Sequence, residues 1–228
     1  MPEIIPAIMP KTFDEITEKV ALVRGLVSYV QIDVMDAKLV PNYSWPFPNF
    51  DAETALLLHE DKGLPFWEDV NYEFDLMICE PEKFVEKFIG FGGGRIVIHY
   101  ESASKEKIWE AVKKVQAMST EVGISINTET SNDVLDEFLN NDKPIDFVQF
   151  MGIEKIGYQG QEFDGRVIQK IKALRAKYSG TIISIDGGVD METATQLIKA
   201  GVNRLVSGHG VFDSGNIADA ISKLKMVQ

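Results

Sequence analysis

Two aspartates, Asp33 and Asp186, stand at the ends of apolar, β-rich stretches of the sequence. Because strand side chains alternate between faces, Asp33 shares a face with Gln31 and Met35, where a sheet would normally carry apolar side chains. Two carboxylates on opposite sides of a pocket can remove a proton from one face of a carbon and return one to the other. Beside a carbonyl this is the chemistry of epimerisation, and it needs an electrophile, usually a metal ion.

Other polar residues also close β-rich stretches, among them Asp75 and His99. We predict that His99 is a buried core histidine with a hydrogen-bonding partner. Asp36 lies on the opposite face from Asp33, and we expect it to stabilise the following turn.

Three glycine clusters follow the last three predicted strands. Their candidate ligand-binding residues are Gly157, Gly160, Gly187, Gly188, Gly208 and His209. Backbone N–H groups of glycine-rich turns can approach an anion closely, and a following helix adds its positive N-terminal end. The clusters therefore predict a phosphate site, in which His209 either donates a hydrogen bond or begins the last helix.

The elements that would position these residues are strands alternating with amphipathic helices. We predict strands at Ile4–Met9, Tyr29–Val34, Tyr72–Met77, Arg95–His99, Gly123–Asn127, Phe147–Met151, Thr181–Ile185 and Arg204–Ser207. We predict helices that include Phe13–Arg24, Lys105–Thr120, Arg166–Lys177 and Glu192–Lys199. Eight βα units predict a (β/α)₈ TIM barrel, in which the active site lies at the C-terminal ends of the strands.

No linker or low-complexity segment divides the chain, so we predict one domain over residues 1–228. A doubly wound open sheet is the alternative, but its glycine-rich turn after the first strand is here Met9-Pro10-Lys11. Gly123 and Gly201 are expected in helix-to-strand loops that need positive φ. The segment Tyr43–Asn71 is predicted to be an extended loop plus a helix, and a candidate subunit contact.

The net charge of −12 and pI of about 4.7 argue against nucleic acid and anionic membranes as partners. The single cysteine, Cys79, excludes an intramolecular disulfide, and we interpret it as a small packed residue. The first residues have no signal-peptide pattern, and no apolar run is long enough to span a membrane. We therefore expect a cytoplasmic protein, and the aromatic segment at Tyr43–Trp67 predicts a self-association surface and hence a homo-oligomer.

Six segments, in chain order, resemble motifs of the ribulose-phosphate 3-epimerase family. They are IDVMDAKLVPN (Ile32–Asn42), DLMICEPEKF (Asp75–Phe84), IVIHYES (Ile96–Ser102), GYQGQEF (Gly157–Phe163), SIDGGVDMETA (Ser184–Ala194) and LVSGHGVF (Leu205–Phe212). The resemblance implies a barrel of the ribulose-phosphate-binding type, a pentulose or hexulose phosphate as ligand, and a divalent metal. It implies Asp33 and Asp186 as the two acid/base residues. It also implies three apolar groups at the reacting end, namely Met35, Met77 and Met151.

The sequence departs from that pattern inside the proposed pocket. Gln31 and Asp75 stand where the family has two metal-binding histidines. Three further differences are Ala7 for a serine, Gln159 for a glycine and His209 for a serine. The implied metal shell becomes Gln31, Asp33, Asp75 and Asp186, whose oxygens favour Mg²⁺, Mn²⁺ or Ca²⁺ over Zn²⁺. The alternative is that Asp75 and Gln31 hydrogen-bond to each other or to substrate hydroxyls, with no metal bound.

Three hypotheses follow from the sequence. The first is an isomerase that epimerises a ketose phosphate through the two aspartates, with an altered substrate or metal preference. The second is a catalytically inactive sugar-phosphate-binding or regulatory protein, because losing the electrophile would raise the barrier by several kcal/mol. The third is a lyase or aldolase, but the candidate Schiff-base lysines, Lys38 and Lys155, are predicted to lie in loops.

Overall fold

The sheet is a closed barrel of eight strands that follow one another in chain order. The computed structural model describes residues 1–59, 63–158 and 160–228. Its strands are β1 (Glu3–Ile8), β2 (Tyr29–Met35), β3 (Asn71–Met77), β4 (Gly93–His99), β5 (Glu121–Ile126), β6 (Phe147–Met151), β7 (Ile182–Asp186) and β8 (Arg204–Ser207). The described pairings are parallel. The predicted (β/α)₈ fold is confirmed, and the open-sheet alternative is excluded.

Helices connect the strands, as the amphipathic stretches predicted. They are α1 (Phe13–Val23), α2 (Phe50–His59), α3 (Val85–Gly90), α4 (Lys105–Ala117), α5 (Asp136–Leu139), α6 (Arg166–Lys177), α7 (Met191–Ala200), α8 (His209–Phe212) and α9 (Ile217–Lys225). Helix α6 has the predicted bounds, and so do strands β6 and β8. The other predicted elements share one boundary with the structure or neither, and the boundaries that differ do so by one to three residues.

Two compact units can be distinguished in the chain. One comprises Ala7–Val122, and the other comprises Met1–Pro6 with Gly123–Gln228. The Ala7–Val122 unit has an aromatic core, in which Phe88 packs on Phe74 of β3 with ring centroids 4.9 Å apart. Phe50 of α2 extends the same cluster at 5.8 Å from Phe88. These fully or nearly fully buried rings attach the helices to the outside of their strands.

The unit of Met1–Pro6 and Gly123–Gln228 corrects one prediction about glycine. Gly123 does not lie in a loop with positive φ but inside β5, where a Cβ atom would come within 2.3 Å of the Phe147 ring. The positive φ of the preceding turn is at Ser119 instead, with φ of 58°. Gly201 does end α7 with φ of 114°, as predicted.

The segment Tyr43–Asn71 contains α2, as its predicted loop-plus-helix character required. Trp45 is buried, whereas Tyr43 and Trp67 are exposed. Residues 60–62 of this segment lie outside the described residues. Across the described residues, no helix combines the length and the apolar character needed to cross a membrane. The single domain, the homo-oligomer and the cytoplasmic location stay predictions.

Candidate active site

Strands β2 and β3 bring two carboxylates side by side. Asp33 pairs with Asp75 in the parallel register, and their residues are only 3% and 0% exposed. Gln31 lies two residues before Asp33, on the same face, and its Nε2 donates a hydrogen bond of 2.7 Å to Asp33 Oδ1. The predicted sharing of a face thus produces a buried amide–carboxylate pair.

His99 ends β4 and contacts the second of these acids. Its residue is fully buried, and its Nε2 lies 2.9 Å from Asp75 Oδ1. The prediction of a buried, hydrogen-bonded histidine is confirmed. The sequence did not identify Asp75 as the partner, because it does not reveal which side chains of β3 and β4 lie next to each other. The nearest available signal was the shared position of Asp75 and His99 at the ends of two consecutive strands.

The third acid, Asp186, ends β7 and is 8% exposed. Its main-chain oxygen accepts a 2.6 Å hydrogen bond from the N–H of Gly152, which immediately follows β6. Asp33, Asp75 and Asp186 each offer one carboxylate oxygen, and these oxygens lie within 4.8 Å of one another. We call these three residues the acidic cluster.

The acidic cluster fits a divalent cation. Three buried carboxylates repel one another, and burial removes the water that would otherwise screen their charges. A cation in their midst relieves that repulsion. The ligands that the cluster offers are hard oxygens, the donors preferred by Mg²⁺, Mn²⁺ and Ca²⁺.

Two further side chains shape the ends of β2 and β3. Asp36 accepts hydrogen bonds from the N–H groups of Lys38 and Leu39, which confirms its predicted role in the turn. Its second oxygen accepts from the N–H of Cys79, at 3.0 Å, just after β3. Sequence reasoning missed Ser44, which is fully buried and whose Oγ donates to the main-chain oxygen of Asp33 at 2.6 Å.

The three methionines implied by the family resemblance end their strands in buried positions. Met35, Met77 and Met151 are 1%, 1% and 2% exposed. They are the last residues of β2, β3 and β6. Thioether side chains at the C-terminal ends of strands provide apolar surface and no titratable group.

The glycine cluster after β7 forms a tightly packed turn. Gly187 and Gly188 have φ of 94° and 65°. A Cβ atom on Gly188 would come within 2.9 Å of Phe163 Cα. The N-terminus of α7 is already capped, because the Asp190 carboxylate accepts from the N–H groups of Glu192 and Thr193. The glycine turn is therefore a better candidate than the helix end for contact with an anion.

The other two glycine clusters follow β6 and β8. Gly157 and Gly160 have positive φ, at 87° and 68°. Gln159, predicted to replace a family glycine, lies outside the described residues. Gly208 precedes α8, and His209 is the first residue of that helix. The exposed His209 ring places Nδ1 2.7 Å from Asp213 Oδ2, and the helix that His209 begins is not the last one, because α9 follows it.

Solved structures of low sequence identity share this fold. The 3-hexulose-6-phosphate synthase from Salmonella typhimurium superposes with a TM-score of 0.68 at 12% identity, covering 97% of this chain and 96% of the other. KGPDC from Streptococcus mutans gives a TM-score of 0.69 at 14% identity, with coverages of 99% and 96%. At these identities the similarity supports the barrel fold alone.

Sequence comparison is more specific. Ribulose-phosphate 3-epimerase from Synechocystis is 30% identical over 97% of this chain and 92% of its own length. The enzyme of the same name from Eremothecium gossypii is 32% identical, over 86% of this chain and 80% of its own. The profile described as the ribulose-phosphate 3 epimerase family matches residues 3–212. The chain therefore belongs to the ribulose-phosphate 3-epimerase family, a family of enzymes.

Proposed function

We propose that this protein epimerises a ketose phosphate at the carbon beside its carbonyl, with Asp33 and Asp186 as the two acid/base residues. The observation that carries the proposal is the acidic cluster, whose three oxygens lie within 4.8 Å of one another. Relatives named ribulose-phosphate 3-epimerase support ribulose 5-phosphate as the first substrate to test. The replaced histidine positions support an altered substrate or metal preference.

The two aspartates supply the proton transfers. One carboxylate takes the proton from the carbon beside the carbonyl, which leaves an enediolate, and the other returns a proton to the opposite face. Because the reaction runs in both directions, each aspartate serves as base for one epimer and as acid for the other. The buried ends of β2, β3 and β6, with Met35, Met77 and Met151, would exclude water from the reacting carbon.

The residues that would hold a divalent cation are Asp33, Asp75 and Asp186, with the Gln31 amide oxygen as a fourth donor. When bound, such an ion stabilises the negative charge that develops on the substrate oxygens. Oxygen donors favour Mg²⁺ or Mn²⁺ over Zn²⁺, since Zn²⁺ prefers nitrogen and sulfur.

The phosphate group would lie against the glycine turns. We assign this role to Gly157, Gly160, Gly187, Gly188, Gly208 and His209. Their position after the last three strands supports the assignment, because loops there form the phosphate sites of many barrels. Because the Asp190 carboxylate already accepts from the first N–H groups of α7, we assign phosphate binding to backbone N–H groups of the turns.

A second candidate function is sugar-phosphate binding without turnover. The observation that favours it is that three of the four proposed ligands take part in side-chain hydrogen bonds within the protein, Gln31 with Asp33 and Asp75 with His99. These bonds stabilise the carboxylates without any ion. Schiff-base chemistry has no such support, because Lys38 and Lys155 are exposed in loops.

Proton exchange in D₂O tests the proposal directly. The protein is incubated with ribulose 5-phosphate and with Mg²⁺, Mn²⁺, Zn²⁺ or a chelator. Proton NMR follows the signal of the proton on the third carbon of the sugar. We expect the signal to disappear fastest with Mg²⁺ or Mn²⁺ and to persist with chelator. Asp33→Asn and Asp186→Asn should each slow epimerisation at least 100-fold, because general acid–base catalysis contributes about 10²–10⁴ in rate, and the variant that lacks the base for ribulose 5-phosphate should slow the exchange as well.

Three outcomes separate the hypotheses. Exchange that survives both substitutions would refute the two-aspartate assignment. Absence of exchange with ribulose 5-phosphate and with hexulose phosphates, together with calorimetric binding of either, would favour the binding protein. Loss of activity after borohydride reduction with substrate would instead support a Schiff base.

A further inference from the structure

The pairing of His99 with Asp75 depends on the tautomer of the histidine ring. Because an ionised carboxylate can only accept, the His99 tautomer that pairs with an ionised Asp75 carries its proton on Nε2 and donates to Asp75 Oδ1, 2.9 Å away. Both residues are fully buried, where a hydrogen bond to a charged group is stronger than in water. His99 thus holds one oxygen of a carboxylate that belongs to the acidic cluster.

The strand register explains why this contact forms. Asp75 pairs with Val97 of β4, and His99 lies two residues further along on the same face. The imidazole therefore projects from the end of β4 toward the carboxylate on the neighbouring strand. The main-chain oxygen of His99 accepts a 2.6 Å hydrogen bond from Ser102 Oγ, which fixes the backbone just beyond β4.

We propose that His99 is a positioning residue of the acidic cluster, which orients the Asp75 carboxylate so that it binds the cation through one oxygen. The inference rests on the proposed function, because it assigns Asp75 to the cation. It gives Asp75 the same kind of support that Gln31 Nε2 gives Asp33 at 2.7 Å. Each carboxylate of β2 and β3 then has one oxygen held by a buried N–H donor.

A purely structural role for His99 predicts different behaviour. If the ring only fills space, an apolar residue of similar size would leave cation affinity unchanged. If the N–H matters, an amide that presents nitrogen near the position of Nε2 would restore the affinity. His99→Leu and His99→Gln therefore distinguish the two roles. Ile98→Val is the matched control, because Ile98 is fully buried on the same strand but faces the other side.

The experiment measures Mn²⁺ affinity, using the electron paramagnetic resonance signal of the free ion, with the metal alone as probe. We expect His99→Leu to weaken Mn²⁺ binding about 10- to 100-fold, the usual cost of losing a partner that orients a metal ligand. His99→Gln should lose less than about tenfold, and Ile98→Val should match the unsubstituted protein. Exchange of ribulose 5-phosphate in D₂O is measured on the same samples.

The outcomes separate this inference from the proposed function. Equal Mn²⁺ affinity in His99→Leu and the unsubstituted protein would overturn the role of His99 and leave the epimerase proposal standing. Equal weakening in His99→Leu and His99→Gln would also overturn it, because an amide N–H at that position would then restore nothing. An unsubstituted protein that binds no Mn²⁺ would overturn both the cation site and this inference. Should His99→Leu fail to fold, His99→Met, which also lacks an N–H donor, replaces it in the comparison with His99→Gln.

Discussion

Replacing Gly188 by alanine tests the packed turn that we assign to the phosphate. Gly188 has φ of 65°, a conformation that residues with a Cβ atom adopt only with strain. The added Cβ would also come within 2.9 Å of Phe163 Cα, a backbone atom that cannot rotate away. Gly215 is the matched control, since its φ is 75° and no atom lies within 4 Å of the position of its Cβ.

The magnitudes follow from these two positions. The strain of positive φ costs about 1–3 kcal/mol at each site and is common to both variants. Forcing an extra methyl group into a packed site adds about 1–3 kcal/mol, and only Gly188→Ala carries this second cost. We therefore expect Gly188→Ala to be less stable than Gly215→Ala by about 1–3 kcal/mol. For a chain of this length that difference lowers the melting temperature by about 2–12 °C.

Ligand affinity should separate the two variants further. A backbone N–H that donates to a charged group contributes about 1.5–3 kcal/mol. Displacing the Gly188 N–H should therefore weaken binding by about 10- to 150-fold. Calorimetric titration with ribose 5-phosphate measures this change, because that sugar carries the phosphate but lacks the ketone required for turnover. The glycine-turn assignment is refuted if Gly188→Ala binds ribose 5-phosphate as tightly as Gly215→Ala does.

Two further predictions concern residues near the strands. Arg95 is buried and lies 3.8 Å from the fully buried Glu73. Arg95→Leu should therefore lower the free energy of unfolding in urea by about 3–5 kcal/mol, because it leaves a buried charge without its partner. Arg24→Leu, at an exposed ion pair, should lower it by less than about 1 kcal/mol. Equal costs would contradict the buried ion pair. Burial, with the Asp36 carboxylate, raises the pKa of the Cys79 thiol. Iodoacetamide should therefore modify Cys79 more slowly near pH 7.5 than an unstructured cysteine peptide, with a rate that rises at higher pH; equally fast modification at pH 7.5 would contradict this.

The fold could be predicted from the sequence because its signals are local. Each strand is a short β-rich stretch and each long helix has an amphipathic period, so that β6, β8 and α6 were located to the residue. Gly123 shows where such local rules fail. A glycine before an apolar run resembles a loop residue, but here the Phe147 ring on the next strand leaves no space for a Cβ atom. That requirement belongs to tertiary packing, which a local pattern does not contain.

The sequence predicted which residues form the candidate site better than it predicted which residues they contact. Alternation along one strand placed Gln31 beside Asp33, because side chains two residues apart share a face. The contact of Asp75 with His99 depends instead on the register between β3 and β4. The hydrogen bond from Ser44 to the backbone of β2 depends on the course of a loop. Neither register nor loop course follows from spacing in the sequence.

The replaced histidines show why single positions are a weak guide to this pocket. In the metal site that the family resemblance implies, Asp75 takes the place of a nitrogen ligand and adds a buried carboxylate. The structure shows that an imidazole still lies within hydrogen-bonding distance of that position, because His99 reaches Asp75 from the adjacent strand. The added charge is thereby stabilised by a buried N–H, just as Gln31 stabilises Asp33. Under the proposed assignment the nitrogen groups at Asp33 and Asp75 are hydrogen-bond donors and the ligands are oxygens, which is the physical reason to expect a harder cation here.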